Sequence, residues 1–373
     1  MLRAAATVVA TLGLVTFGVT GTGHAATVSQ FSFTTPQYVP GVATSAAPSM
    51  VECANGAVYM VWKGMDTDEH LYYSNWTSSG WAPQKRIQLG NLTDLAPSAA
   101  CDDGYDGSNE LLVAWKGLGS DNNVYVTTET AGADNWSSAQ QIAGATTDTS
   151  PAAGMIPSLY EAPRVVQGIT SPRYEEADTP YLAWKVAGSS SVSVTHSVNG
   201  VWGSAANLSW INTDSAPTMS NAFGGIQHVA LTWKEAGTDN MKYSVGDAND
   251  GFTLGTYLGG GGGTETGLSS ATVEMANSSN DLVSAPFAVW KGLGADDDVW
   301  FATQANSPSW ADQAPLPFGS LTATMPTTAS YTYTVPPPPG GFAGPATGVL
   351  VAWRGIGNDS GIHFTVETLT VLS

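Results

Sequence analysis

Six short segments of this chain repeat one pattern: Val-Trp-Lys-Gly at 61–64, Ala-Trp-Lys-Gly at 114–117, Ala-Trp-Lys at 183–185, Thr-Trp-Lys at 232–234, Val-Trp-Lys-Gly at 289–292 and Ala-Trp-Arg-Gly at 352–355. Their tryptophans are separated by 53, 69, 49, 57 and 63 residues, intervals that hold one four-stranded sheet with variable loops and are too short for six independent cores. More than the Trp recurs. Six residues later stands Asp68, Asp121, Asp239, Asp296 or Asp359, with Ser190 in the third copy. An apolar-aromatic strand follows, as at Leu71-Tyr72 or Val299-Trp300, then a second aromatic such as Trp81, Trp136, Trp202, Phe252 or Trp310. A proline opens most new copies (Pro48, Pro97, Pro151, Pro217, Pro326). The pattern predicts strand A after the proline, strand B ending in Trp-Lys/Arg, strand C after the Asp, and strand D after the second aromatic. The fold class is therefore all-β, a single six-bladed β-propeller; seven blades is the alternative if one copy has lost the pattern.

The ends of the sequence bear on closure. The last copy stops after strand C, whereas Phe33 to Gly41 aligns with the strand D segment Trp136 to Gly144. The N-terminal segment should thus supply the outer strand of the last blade and cover a free edge. Before it, Arg3, an apolar run to residue 19 and Gly23-His24-Ala25-Ala26 read as a signal peptide over residues 1–25, with a retained N-terminal anchor as the alternative. Residues 26–373 form the propeller domain and are expected outside the cell as a monomer. Without Arg3 the formal charge is −20, from 31 acidic residues, which argues against nucleic acid and anionic membranes as partners. In an exported chain two cysteines suggest a disulfide. Cys53 and Cys101 both fall in strand A of adjacent blades, where inner strands converge; two buried thiols are the alternative.

The six repeat tryptophans read as interblade packing. Lys63, Asp68, Lys116, Asp121, Lys234, Asp239, Lys291, Asp296, Arg354 and Asp359, together with Lys185, should share one face with the Thr-rich D–A loops such as Thr146-Thr147-Asp148 and Thr213-Asp214. They form either structural Lys–Asp pairs or polar pockets suited to sugars. On the opposite face two long A–B loops, about 156–179 with Arg164, Arg173, Glu175 and Glu176, and about 334–347 with Pro336 to Pro339, are candidates for protein docking. The acidic clusters follow no calcium-loop pattern and the five histidines are scattered, so no metal and no cofactor is expected. No nucleophile elbow or phosphate loop occurs, and the chain reads as a non-enzyme.

The repeats resemble those of secreted propellers of the sialidase and lectin classes. A sialidase needs clustered arginines, and outside the leader only Arg86, Arg164, Arg173 and Arg354 are present; Ser197-Val-Asn-Gly-Val-Trp202 is a loose echo of the sialidase box. Glycosidase activity is accordingly the least favoured reading. A multivalent carbohydrate-binding lectin is a stronger one. As a whole, an acidic, Trp-rich, leader-bearing propeller with actinomycete-like Ala, Gly and Thr usage resembles the dispase autolysis-inducing kind of secreted propeller, a likeness carried by the six copies from Trp62 to Trp353. That resemblance implies a non-catalytic partner that binds secreted neutral metalloproteases of the thermolysin type and promotes their autolysis. It also implies a transglutaminase substrate, with Gln37, Gln140 and Gln141 as candidate acceptors.

Overall fold

Each repeat tryptophan lies near the end of a strand buried on both faces. The run Val58–Lys63 is wholly buried, as is Val229–Lys234, so these strands read as continuous apolar stretches instead of alternating ones. In the computed structural model these are the second strands of six antiparallel sheets. The structure describes residues 31–369 except 54, 89, 103–108, 167–168, 221–228, 248–250, 259–262, 277–281, 304–309 and 336–343.

The six sheets follow one order. Their inner strands A are Ser49–Glu52, Ser98–Cys101, Ala152–Val166, Thr218–Ser220, Leu268–Ala276 and Thr327–Val335. Strands B end at Lys63, Lys116, Lys185, Lys234, Lys291 and Arg354, and strands C begin at Leu71, Asn123, Val192, Met241, Val299 and Gly361. Outer segments complete the blades, as at Gln140–Thr146 in blade 2 and Ala311–Pro315 in blade 5. Blade 6 takes its outer edge from the other end of the chain. Phe31–Phe33 and Gln37–Ala43 both pair antiparallel with Gly361–Leu369, through Phe33↔Glu367 and Gln37↔Phe364. The ring is six-bladed and closed by the N-terminal strand, as the repeat predicts. Residues 1–25, read above as a signal peptide, lie outside the described residues.

The tryptophans explain why the blades adhere. Each is at most 2% exposed, and each inserts into the blade before its own. Trp115 packs with Leu71 and Ile87 of blade 1, Trp184 with Val124 and Ile142 of blade 2, and Trp290 with Met241 and Leu258 of blade 4. Trp62 packs with Val39, Val42 and Ile362 of blade 6, which closes the circle. A Trp removes ~150–250 Å² from water, so at ~25 cal/mol per Å² each interface gains about 4–6 kcal/mol from this one side chain. Phe33 adds to the closure by meeting Phe301 of blade 5 edge-on at 5.3 Å between ring centroids.

Near the axis, Cys53 and Cys101 are joined in a disulfide with their Cα atoms 5.1 Å apart, linking blades 1 and 2. Hydroxyls continue the linkage between inner strands: Ser49 Oγ accepts from Ala99 N–H at 3.0 Å, and Ser98 Oγ from Ala153 N–H at 2.9 Å. One expectation changes. The segment read as a long A–B loop in blade 3 is paired backbone, because strands A and B extend as a hairpin from Ala152↔Ala183 out to Val166↔Ile169. Arg164, Arg173, Glu175 and Glu176 therefore stand on paired strands; their side chains, and Pro336 and Pro339 of blade 6, lie outside the described residues.

Candidate binding face

The B–C turns occur in two lengths. In blades 1, 2, 5 and 6 the repeat cation pairs with the residue eight positions on, as in Lys63↔Leu71 and Arg354↔Ile362. In blades 3 and 4 the distance is seven, Lys185↔Val192 and Lys234↔Met241. The glycine after the cation accounts for the difference. A Cβ at Gly64, Gly117, Gly292 or Gly355 would lie 2.3–2.5 Å from the carboxyl group of Asp68, Asp121, Asp296 or Asp359. Only glycine leaves room for the Asp to fold back over the turn.

Folded back, that Asp ties the turn to strand C. Asp121 accepts from Asn123 N–H at 3.1 Å and, with its second oxygen, from Tyr125 O–H at 2.9 Å. Asp68 bonds His70 and Tyr72, Asp296 bonds Asp298 N–H and Trp300 Nε1–H, and Asp359 bonds Gly361 N–H and His363. Burial works against ionisation of Asp68, Asp121 and Asp359, but these donors outweigh it and hold the three carboxyls below the usual range. In the short turns a hydroxyl does the capping. Thr238 Oγ1 accepts from Asn240 N–H at 3.2 Å, and Ser189 Oγ from Ser191 N–H at 3.1 Å. The shorter turn thus displaces the alignment by one place: Asp239 and Ser190 are not the capping residues. Where the long turns have glycine, blade 3 has Val186 and blade 4 has Glu235, whose carboxylate meets Lys242 at 2.5 Å.

The cations belong to a different network. Their partners are acids of the D–A loops or the residue after the capping Asp, and not the repeat Asp side chains. Lys116 meets Asp94 at 3.2 Å, Lys185 meets Asp148 at 2.7 Å and Lys234 meets Asp214 at 2.8 Å. Lys63 pairs with Glu69 at 3.0 Å and Lys291 with Asp297 at 3.2 Å. Turn carbonyls take further ammonium protons, those of Gly117 and Gly119 each at 2.9 Å from Lys116 Nζ. Arg354 donates to the Thr44 carbonyl at 3.0 Å. The loop acids follow threonines that are fully buried, Thr93, Thr147 and Thr213. Thr93 N–H bonds the Glu69 carbonyl of the preceding blade at 2.9 Å. Each such loop is therefore held by one blade and salt-bridged to the next. The recurring Thr-Asp pairs were the sequence signal for these partners.

The exposure of the two charges differs. The side chains of Lys63, Lys116, Lys185, Lys234 and Lys291 are 2–11% exposed, while Asp94, Asp148, Asp214 and Asp297 are 39–47% exposed. Ammonium groups lie beneath and carboxylates above, so even paired charges present a negative surface. At the turn tips, three residues after the repeat Trp, stand Met65, Leu118, Leu293 and Ile356 in the long turns and Ala187 and Ala236 in the short ones.

The D–A loops also rim an axial cavity of about 750 Å³, lined by small and hydroxyl residues with Met50, Met219, Met325 and Glu52. Burial pushes the Glu52 carboxyl up, partly offset by the hydroxyl of Thr332 at 3.2 Å. Among the described residues no cluster of three or more His, Cys, Asp or Glu is placed to hold a metal ion, and no helix is long and apolar enough to cross a membrane.

No family model and no curated protein sequence matches the chain. Solved structures do. AofleA from Arthrobotrys oligospora aligns with a TM-score of 0.55 at 7% identity, over 91% of this chain and 95% of that one. The subtype N11 neuraminidase-like protein of A/flat-faced bat/Peru/033/2010 (H18N11) aligns at 0.53 and 12%, again over 91% and 95%. Aleuria aurantia lectin, in complex with α-methyl-L-fucoside, aligns at 0.50 and 11% over 90% and 97%. At these identities the likeness is one of fold: the chain is a six-bladed propeller of the architecture shared by lectins and neuraminidase-like proteins.

Proposed function

We propose that this chain is a secreted, non-catalytic binding protein that engages a protein partner, a secreted neutral metalloprotease of the dispase and thermolysin type, and promotes its autolysis. The observation that carries the reading is how the repeat spends its polar groups. The capping carboxylates of the long turns are bonded to their own strand C, and the repeat ammonium groups to loop acids and turn carbonyls. A sugar pocket needs convergent polar groups free to bond hydroxyls; these are committed, and apolar tips face outward instead. A broad rigid face of that kind suits a folded protein. The protease does the cutting. The propeller favours a conformation in which the cleavage-prone loops are open and shifts the population toward it. Gln37, Gln140 and Gln141 are exposed on outer strands, which suits them as transglutaminase acceptors.

The test is to incubate the purified propeller with a thermolysin-type protease and follow its lifetime and fragments. Stoichiometric propeller should shorten the lifetime; an unchanged lifetime overturns the reading. A second reading, multivalent glycan binding, is favoured by the architecture shared with Aleuria aurantia lectin, whose structure holds α-methyl-L-fucoside. Fucoside signal on a glycan array, combined with unchanged protease lifetime, would select it.

A further inference from the structure

The six turns of the binding face are not equivalent, and their inequality is contiguous. Long turns with large apolar tips belong to blades 5, 6, 1 and 2, which are consecutive around the ring. Blades 3 and 4 have short turns tipped by alanine. Met65, Leu118 and Leu293 are 42%, 39% and 43% exposed, and Ile356 is half-buried. The connection from blade 5 to blade 6 adds Phe318 at 47% and Leu321 at 37%. Phe318 has φ +69°, a left-handed conformation that a bulky residue rarely adopts, and it leaves the ring exposed. Six large apolar side chains thus stand in an arc over two-thirds of the ring. Scattered single apolar residues are ordinary on a surface; here four recur at one turn position in consecutive blades, with Phe318 and Leu321 beside them.

Charge selects the occupant. The six B–C turns between the repeat cation and strand C contain ten Asp or Glu and no Lys or Arg. The D–A connections at 44–48, 91–97, 147–151, 212–217, 263–267 and 321–326 add four acids and again no Lys or Arg. Among the described residues the five repeat lysines are buried beneath their carboxylates, and Lys242 is paired with Glu235 in blade 4, outside the arc. Apolar anchors among acids that outnumber their cations, with the paired carboxylates outermost, are complementary to a surface that carries Lys or Arg around apolar side chains.

We propose that the arc formed by blades 5, 6, 1 and 2 docks one polypeptide of basic and apolar surface, held across four turns at once. This rests on the protein-partner reading above and gives it a partner chemistry, a place and a stoichiometry. One asymmetric arc takes one partner, in contrast to the several equivalent sites of a multivalent lectin.

The test uses the whole protein and three model peptides of equal length: one alternating Lys with Leu, one of Lys with Ser, and one of Glu with Leu. Affinities are read by fluorescence anisotropy at low and physiological salt. The Lys/Leu peptide should bind the wild type at least tenfold more tightly than the Lys/Ser peptide, weaken with added salt, and bind at a single site. The Glu/Leu peptide should not bind. The double variant Leu293→Ser/Leu118→Ser should lose at least tenfold in affinity for the Lys/Leu peptide. The matched variant Ala187→Ser/Ala236→Ser should lose none, and thermal melts confirm that both fold. Equal losses in the two variants, no preference for Lys/Leu over Lys/Ser, or comparable binding of Glu/Leu would overturn the proposal. Peptide binding with unchanged protease lifetime would sink the protease reading while leaving the arc intact.

Discussion

The glycine after the repeat cation offers a sharp test of how the binding face is built. A Cβ at Gly117 would lie 2.3 Å from Asp121 Oδ2 and 2.4 Å from its Cγ, about 1 Å inside ordinary contact. Asp121 can yield only by releasing Asn123 N–H, Asn123 Nδ2–H and Tyr125 O–H, its bonds at 3.1, 2.7 and 2.9 Å. Three charge-assisted bonds on a half-buried carboxylate set the cost of Gly117→Ala at about 2–3 kcal/mol, the upper part of the range for overpacking. Gly117 itself has no positive φ, so alanine meets no backbone strain there. With Asp121→Gly in place the carboxyl is gone, as is the Asp121 Cβ at 2.8 Å, and the same Gly117→Ala change should cost at least about 1.5 kcal/mol less. Gly119 is the control. It has φ +62° and nothing near its missing Cβ, so Gly119→Ala should cost about 1 kcal/mol in both backgrounds. Thermal or urea denaturation of the six proteins reads these values. A Gly117→Ala cost that is the same with and without Asp121, or a coupling of equal size at Gly119, would refute the account of why long turns require glycine.

Other outcomes follow from the same geometry. Mutating Cys53 and Cys101 to Ser opens a crosslink spanning 48 residues, which should cost about 4 kcal/mol by chain entropy and lower the melting temperature by about 5 °C; a change under 1 °C would mean that the interblade hydroxyl bonds suffice. Burial holds Glu129 up to about 7 and Glu367 up to about 8, so the folded state binds more protons than the unfolded one above pH ~4.5. Their contribution is full below that pH and is lost as pH rises through 7 to 8; with solvent screening of the partly buried Glu129, Glu129→Gln should stabilise by about 1–2 kcal/mol at pH 8 and change little at pH 4. Asp121 acts in the opposite sense, its contribution present above pH ~4 and lost as acid protonates it. Trp353→Ala should cost about 3–5 kcal/mol by opening the contact between blades 5 and 6, with a melting temperature that falls accordingly.

Blade number, strand order and the closing strand were legible because they depend on periodic burial, and a Trp repeated at blade intervals reports burial directly. The disulfide was legible for the same reason, since both cysteines hold one place in adjacent copies. What the repeat could not convey was pairing within the turns. Lys116 and Asp121 recur together, yet Lys116 bonds Asp94, 22 residues earlier, because the D–A loop arrives over the same turn from the preceding blade. The Asp239 and Ser190 alignments slipped because a turn one residue shorter keeps the same spacing of similar letters while moving the cap to Thr238 and Ser189. The blade 3 loop was misjudged because Pro, Arg and Glu are unusual in strands, and the pairing runs on through them to Val166↔Ile169.

The same contrast explains why function is harder to read here than fold. Most of the recurring polar residues that first suggest a ligand site are spent on the scaffold: Asp on its turn, Lys on its own turn or on the loop arriving from the previous blade, Thr on the previous blade. A scaffold built six times must repeat, so its residues are the conspicuous ones. Residues that contact a single asymmetric partner need not repeat. They should be sought where copies differ, at the third position after each Trp, where Met, Leu, Ala, Ala, Leu and Ile stand in turn. Exchanging that one position between blades, with Ala236→Leu and Leu293→Ala made together, should move the apolar arc without altering the turn lengths. If the Lys/Leu peptide then binds as tightly as before, the tips do not determine recognition, and the argument from their asymmetry fails.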